Sequence, residues 1–146
     1  MVAVFQGVTP ATGETKVNQA IDAEPWPVLV VEDDHEIRES LVDILGDQSI
    51  SVISAVNGRD GLNQLTAHNG RVRLVLLDMM MPVLDGDGFR EEQTSDPRFA
   101  NLPVVVMSAY RDVAAAAQRL GAAGYLKKPF SVSDVLDAIR VHSKQS

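Results

Sequence analysis

Between residues 28 and 142 the chain alternates two hydrophobic periods. Short, nearly unbroken apolar runs suit strands buried on both faces. They occur as "VLVV" (28–31), "ISVISAV" (50–56), "VRLVLL" (72–77), "PVVVM" (103–107) and the shorter "GYLK" (124–127). Helical spacing follows each run. In "EDDHEIRESLVDILG", Ile37, Leu41, Ile44 and Leu45 share one face, with Asp34 as N-cap and Gly46 as the stop. Asn57 caps a second helix carrying Leu62 and Leu65, which ends near the Asn-Gly at 69–70. "DGFREEQTSD" (87–96) reads as a third helix, although only Phe89 in it is clearly apolar. A fourth helix at 112–121 turns Val113, Ala117 and Leu120 inward, and Ser131 with Asp134 forms a capping box opening a fifth at 131–142.

Strands alternating with helices imply βαβ crossovers and a parallel sheet, an α/β fold. Sites on such sheets lie beyond the carboxyl ends of the strands. The residues found there are Glu32, Asp33 and Asp34 after the first run, Asp78 after the third, Ser108 after the fourth, and Lys127, Lys128 and Pro129 after the fifth. If the first strand neighbours the third, Glu32, Asp33 and Asp78 converge. Packed carboxylates repel, and one would stay protonated unless a cation intervened. Mg²⁺ suits such a cluster, because it takes one or two carboxylates, keeps waters and leaves room for a phosphate oxygen. A lysine and a hydroxyl opposite it suit a phosphoryl group, and an Asp carboxylate can act as its nucleophile.

Composition narrows the field. The chain has 146 residues, enough for one domain with a real core. Residues 1–26 lack periodicity and close on the linker-like "EPWP", so they read as a flexible extension or a partner-binding arm; 144–146 read as a short tail. A net charge of -7 argues against direct binding of nucleic acid. With no Cys, disulfides, thiol catalysis and zinc–thiolate sites are excluded. No apolar run is long enough to span a membrane, and the N-terminus lacks the form of a signal peptide, so the cytoplasm is the expected compartment.

Several residues have plain readings. Asp34 is a helix cap rather than a ligand, and Met79 and Met81 are packing residues. His35 is an exposed helical residue, His68 and His142 are solvated at helix ends, and Lys127 is an exposed edge residue. The alanines at 114–117 fit either a partner face or a thinly packed helix.

At "VVEDD", "LLDMMMPVLDG", "VVVMSA" and "GYLKKPF" the chain resembles the receiver domains of two-component response regulators, over about residues 27–143. Each piece is weak alone, and four in order at successive strand ends are specific. The resemblance implies a flavodoxin-like (βα)5 three-layer sandwich with strand order 2-1-3-4-5. It implies that Asp78 is the phosphoacceptor, Asp33 a direct Mg²⁺ ligand, Glu32 an acid reaching the metal through water, and Met80 a ligand through its backbone carbonyl. Ser108 matches the Thr/Ser switch position, Lys128 the invariant lysine, and Tyr125 the aromatic switch residue. A cis bond is implied at Pro129. The implied partner is a histidine kinase or histidine phosphotransfer protein. A phosphorylation-dependent homodimer and an undefined downstream target are left open.

The competing reading is an Mg²⁺-dependent phosphatase with an Asp nucleophile, of the dehalogenase type. There the nucleophile ends the first strand in a D-x-D motif. Here the first strand ends in adjacent acids, and no insertion large enough to cap a substrate is visible. Turnover of a generic phosphate ester separates the two. No output domain follows the last helix, which reads as a stand-alone receiver, one excised from a larger protein, or a phosphate sink or relay of a hybrid kinase.

Overall fold

In the computed structural model, residues 26–144 are described; the expected 1–26 extension lies almost wholly outside them, as does most of the 144–146 tail. The elements run β1 (Val28–Val31), α1 (His35–Asp47), β2 (Val52–Ala55), α2 (Gly58–Ala67), β3 (Leu74–Asp78), α3 (Gly86–Ser95), β4 (Val104–Ser108), α4 (Val113–Arg119), β5 (Gly124–Lys127) and α5 (Val132–His142). The five strands form one sheet in the order β2-β1-β3-β4-β5, all neighbours parallel. This is the expected order.

Parallel neighbours need crossovers, so helices cover both faces of the sheet. Alternate strand residues therefore feed two cores. Val28, Val30, Leu74, Leu76, Val105 and Met107 pack with Leu41 and Leu45 of α1 and Val135 and Ile139 of α5. Leu29, Val31, Val75, Leu77, Val104 and Val106 pack with Leu62 and Leu65 of α2, Phe89 of α3, and Val113 and Ala117 of α4. Gly61 lets α2 settle here, since a β-carbon would meet Phe89 and the Val31 methyl at 2.9–3.0 Å.

Three local expectations are corrected. Gly46 does not stop α1, which continues to Asp47 and is capped by Gln48; the turn is made by Ser49, whose φ is 60°. His142 is not solvated but half-buried, its ring lying against Gly124, where a β-carbon would come within 2.6 Å of Nε2. Strands β3 and β4 extend one residue further than their apolar runs, so Asp78 and Ser108 are the last residues of strands rather than the first of loops. Trp26, read as linker, has its ring 5.9 Å from Lys144 Nζ. No helix among the described residues is long and apolar enough to cross a membrane.

Candidate functional site

The β1–β3 pairing creates the site. Val31 is in register with Leu77, so the residues that follow, Glu32 and Asp78, emerge side by side. Carboxylate oxygens of Glu32, Asp33 and Asp78 lie within 4.8 Å of one another. Glu32 is fully buried, Asp78 is 3% exposed and Asp33 faces solvent. Asp34 stands apart, with its Oδ1 accepting from the Ile37 N–H at 3.1 Å as the N-cap of α1.

From the other side, β4 and β5 bring a hydroxyl and an ammonium. Ser108 pairs in register with Lys127, and the Lys128 N–H donates to the Ser108 carbonyl at 2.8 Å. Lys128 Nζ then lies 2.8 Å from Glu32 Oε1 and 3.2 Å from Asp78 Oδ1. The Lys128–Pro129 bond is cis. The Ser108 hydroxyl is buried and accepts from the Tyr110 N–H at 3.1 Å, which leaves its own proton free to donate. Lys127 is exposed, as expected of it, and Tyr125 is 51% exposed. Met80 is 58% exposed while Met79 and Met81 are buried, consistent with packing roles for the outer pair. These groups surround an open cleft of about 400 Å³.

Three carboxylates face one ammonium. Burial foremost, then the hydrogen bond and negative charge of Glu32, push the Asp78 carboxyl up from 3.8 to about 7, against the pull of Lys128. Burial disfavours the charged form of Lys128, yet its contacts with Glu32 and Asp78 outweigh that and hold it above the ordinary lysine value. The Glu32 Oε1 atom is buried and has no well-aligned hydrogen-bond donor, only the charge of the nearby ammonium. An all-oxygen donor set carrying excess negative charge fits a hard divalent cation of the Mg²⁺ kind.

Two features of the site were not legible as chemistry. Arg38 of α1 reaches back over the acid loop and donates to the carbonyls of Glu32 and Asp33; its spacing four residues after Asp34 was the available signal. In the loop after Asp78, Val83 and Leu84 take φ of 51° and 74°. Nothing apolar in "MPVLDG" announces this, since left-handed backbone favours Gly and Asn. The loop is held there by the Gly58 N–H, which donates to the Leu84 carbonyl at 3.0 Å, so close that a β-carbon on Gly58 would collide with that oxygen.

Residues 28–140 match the family described as "Response regulator receiver domain". The chain is 35% identical over 133 residues to the transcriptional regulatory protein PdtaR of Mycobacterium tuberculosis, covering 89% of this chain and 62% of that protein. It is 31% identical over 116 residues to sporulation initiation phosphotransferase F of Bacillus subtilis, covering 77% of this chain and 90% of that one. A solved response regulator receiver protein from Pseudomonas putida superposes with a TM-score of 0.72 at 26% identity, covering 82% and 98% of the two chains. The chain thus spans less than two thirds of PdtaR's length.

Proposed function

The chain belongs to the response regulator receiver family, the phosphoacceptor domain of two-component signalling, and from that premise we propose that Asp78 is the residue that takes the phosphoryl group. One observation carries the assignment. Asp78 is a buried carboxylate of the cleft, held against Lys128 and beside the acid pair that follows β1. An Asp78 oxygen would attack the phosphorus of a phosphohistidine on a histidine kinase or histidine phosphotransfer protein. The new O–P bond forms as the P–N bond breaks, and the imidazole leaves with the electron pair.

Glu32, Asp33, Asp78 and the Met80 carbonyl would hold Mg²⁺. When bound, the ion offsets the charge of the acids and of the transferred phosphoryl oxygens. Lys128 pairs with one of those oxygens and the Ser108 hydroxyl donates to another. The phosphoryl group later leaves to water at the same site, so this chain carries a self-limited signal rather than sustained turnover.

Labelling with acetyl phosphate tests the assignment. Wild type should gain an acid-labile phosphoryl group only with Mg²⁺ present, and Asp78→Asn should gain none. Full labelling of Asp78→Asn would place the acceptor elsewhere, and multiple turnover of a phosphate ester would favour a phosphatase.

A further inference from the structure

Glu32 and Asp33 are oriented by different means. Glu32 is buried, with the Asp34 N–H on one of its oxygens at 3.2 Å and the Lys128 ammonium near the other. Asp33 is exposed, so burial does not fix its side chain. Its direction depends on the backbone that carries it.

That backbone is gripped from α1. Arg38 Nη1 donates to the Glu32 carbonyl at 2.9 Å and to the Asp33 carbonyl at 3.3 Å. Arg38 Nη2 donates to His35 Nδ1 at 3.1 Å, which steadies the guanidinium from its other end. The Arg38 N–H also donates to the Asp34 carbonyl at 2.9 Å, so the loop and the first turn of the helix form one unit. The two carbonyls belong to the two peptide planes on either side of the Asp33 α-carbon. Each plane is rigid. Fixing both fixes the direction of the Asp33 Cα–Cβ bond, the base from which its carboxylate reaches the cluster. Because Arg38 takes carbonyls rather than carboxylates as its partners, it does not compete with a cation for the carboxylate oxygens.

We propose that Arg38 is a positioning residue for cation loading, holding the Glu32–Asp33 backbone so that Asp33 points into the acid cluster. The proposal rests on the reading of Glu32 and Asp33 as cation ligands. Groups that orient metal ligands typically matter roughly ten- to a hundredfold in metal affinity, and a half-exposed clamp belongs near the tenfold end. Lysine would not replace it, since its single nitrogen cannot hold the two carbonyls from one side and His35 Nδ1 from the other, as Nη1 and Nη2 do together.

The test is calorimetric titration of the full chain with Mg²⁺, for wild type, Arg38→Ala, Arg38→Lys and the remote control Arg140→Ala. Both Arg38 variants should bind about tenfold more weakly, and Arg140→Ala should bind as wild type does. In acetyl phosphate labelling, the loss should fall more on the Mg²⁺ concentration for half-maximal rate than on the limiting rate. If wild type itself binds no Mg²⁺, the cation reading of the site fails and this proposal with it. If wild type binds and the Arg38 variants match it, the positioning role alone is refuted. A general drop in metal-free melting temperature, with half-maximal concentration and limiting rate worsening together, would show that Arg38 only braces α1 and would also refute it. Should Arg38→Ala fail to fold, Arg38→Lys carries the comparison.

Discussion

As the proposed phosphoacceptor, Asp78 would have to be buried enough to be shielded and charged enough to attack. Its carboxyl, pushed up to about 7 from 3.8, shows the tension in the metal-free state. Between those two values the folded protein binds a proton that the unfolded chain has released. The resulting stabilisation is complete below about pH 4 and is lost as pH rises through about 7. Metal-free wild type should therefore lose stability relative to Asp78→Asn as pH is raised from acid to neutral, in thermal unfolding followed by circular dichroism. Mg²⁺ should raise the wild-type midpoint more above pH 7 than below it, since cation and proton compete for the same oxygens. A wild-type-to-variant difference that ignores pH would mean Asp78 titrates as an ordinary carboxyl. The neighbouring acids divide their labour. Asp34 spends its side chain on the Ile37 N–H, whereas Asp33 joins the cluster. Asp33→Ala should accordingly weaken Mg²⁺ binding in calorimetry, while Asp34→Ala should mainly lower stability by about 1 kcal/mol, the usual worth of an N-cap. Equal losses of Mg²⁺ affinity would overturn that division.

At the scale of elements, α3 shows how a helix with one large apolar side chain is anchored. Phe89 is fully buried, and the second anchor is polar: Gln93 is also fully buried. Gln93 Nε2 donates to the carbonyls of Phe99 and Leu102 at 2.9 and 3.2 Å, and Gln93 Oε1 accepts from Arg90 Nη1 at 2.9 Å. Arg90 continues the network to the carbonyls of Leu120 and Gly121 at the end of α4. The amide thus satisfies the loop leading into β4 and ties α3 to α4. Gln93→Leu keeps the volume but leaves buried carbonyls unpaired, and should cost about 2–4 kcal/mol in urea unfolding. A neutral result would mean that water replaces the amide.

Across the whole molecule, the cleft is linked to the short helix α4. Ser108 is joined through the Tyr110 N–H to the loop that opens α4. That helix has seven residues and no side-chain N-cap hydrogen bond, with Ala114 and Ala115 exposed. Drawing the Ser108 hydroxyl toward a phosphoryl oxygen would pull on this loop and open space for Tyr125, which is now half-exposed on β5. The shift needs only a few kcal/mol of preference between two conformers. Amide NMR spectra with beryllofluoride and Mg²⁺ should change not only at 78–86 but through 108–128. Changes confined to the acid pocket would make the chain a phosphate sink or relay instead of a switch.

The sequence by itself determined the strands, their alternation with helices, and the residues standing at the strand ends. These depend on local hydrophobic period, since unbroken apolar runs such as 28–31 and 103–107 suit strands covered on both faces. It also determined the caps at Asp34, Asn57 and Ser131, because capping is a short-range hydrogen bond between near neighbours. Tertiary structure decided the rest. That Glu32 meets Asp78 follows from β1 lying beside β3, a pairing that no local pattern encodes. Burial of Gln93 required carbonyls from a later loop, so a polar residue in the chain became a core residue in the fold. The left-handed turn at Val83–Leu84 is met by Gly58 of α2, whose N–H donates to the Leu84 carbonyl, a contact from outside the loop that its own residues do not announce.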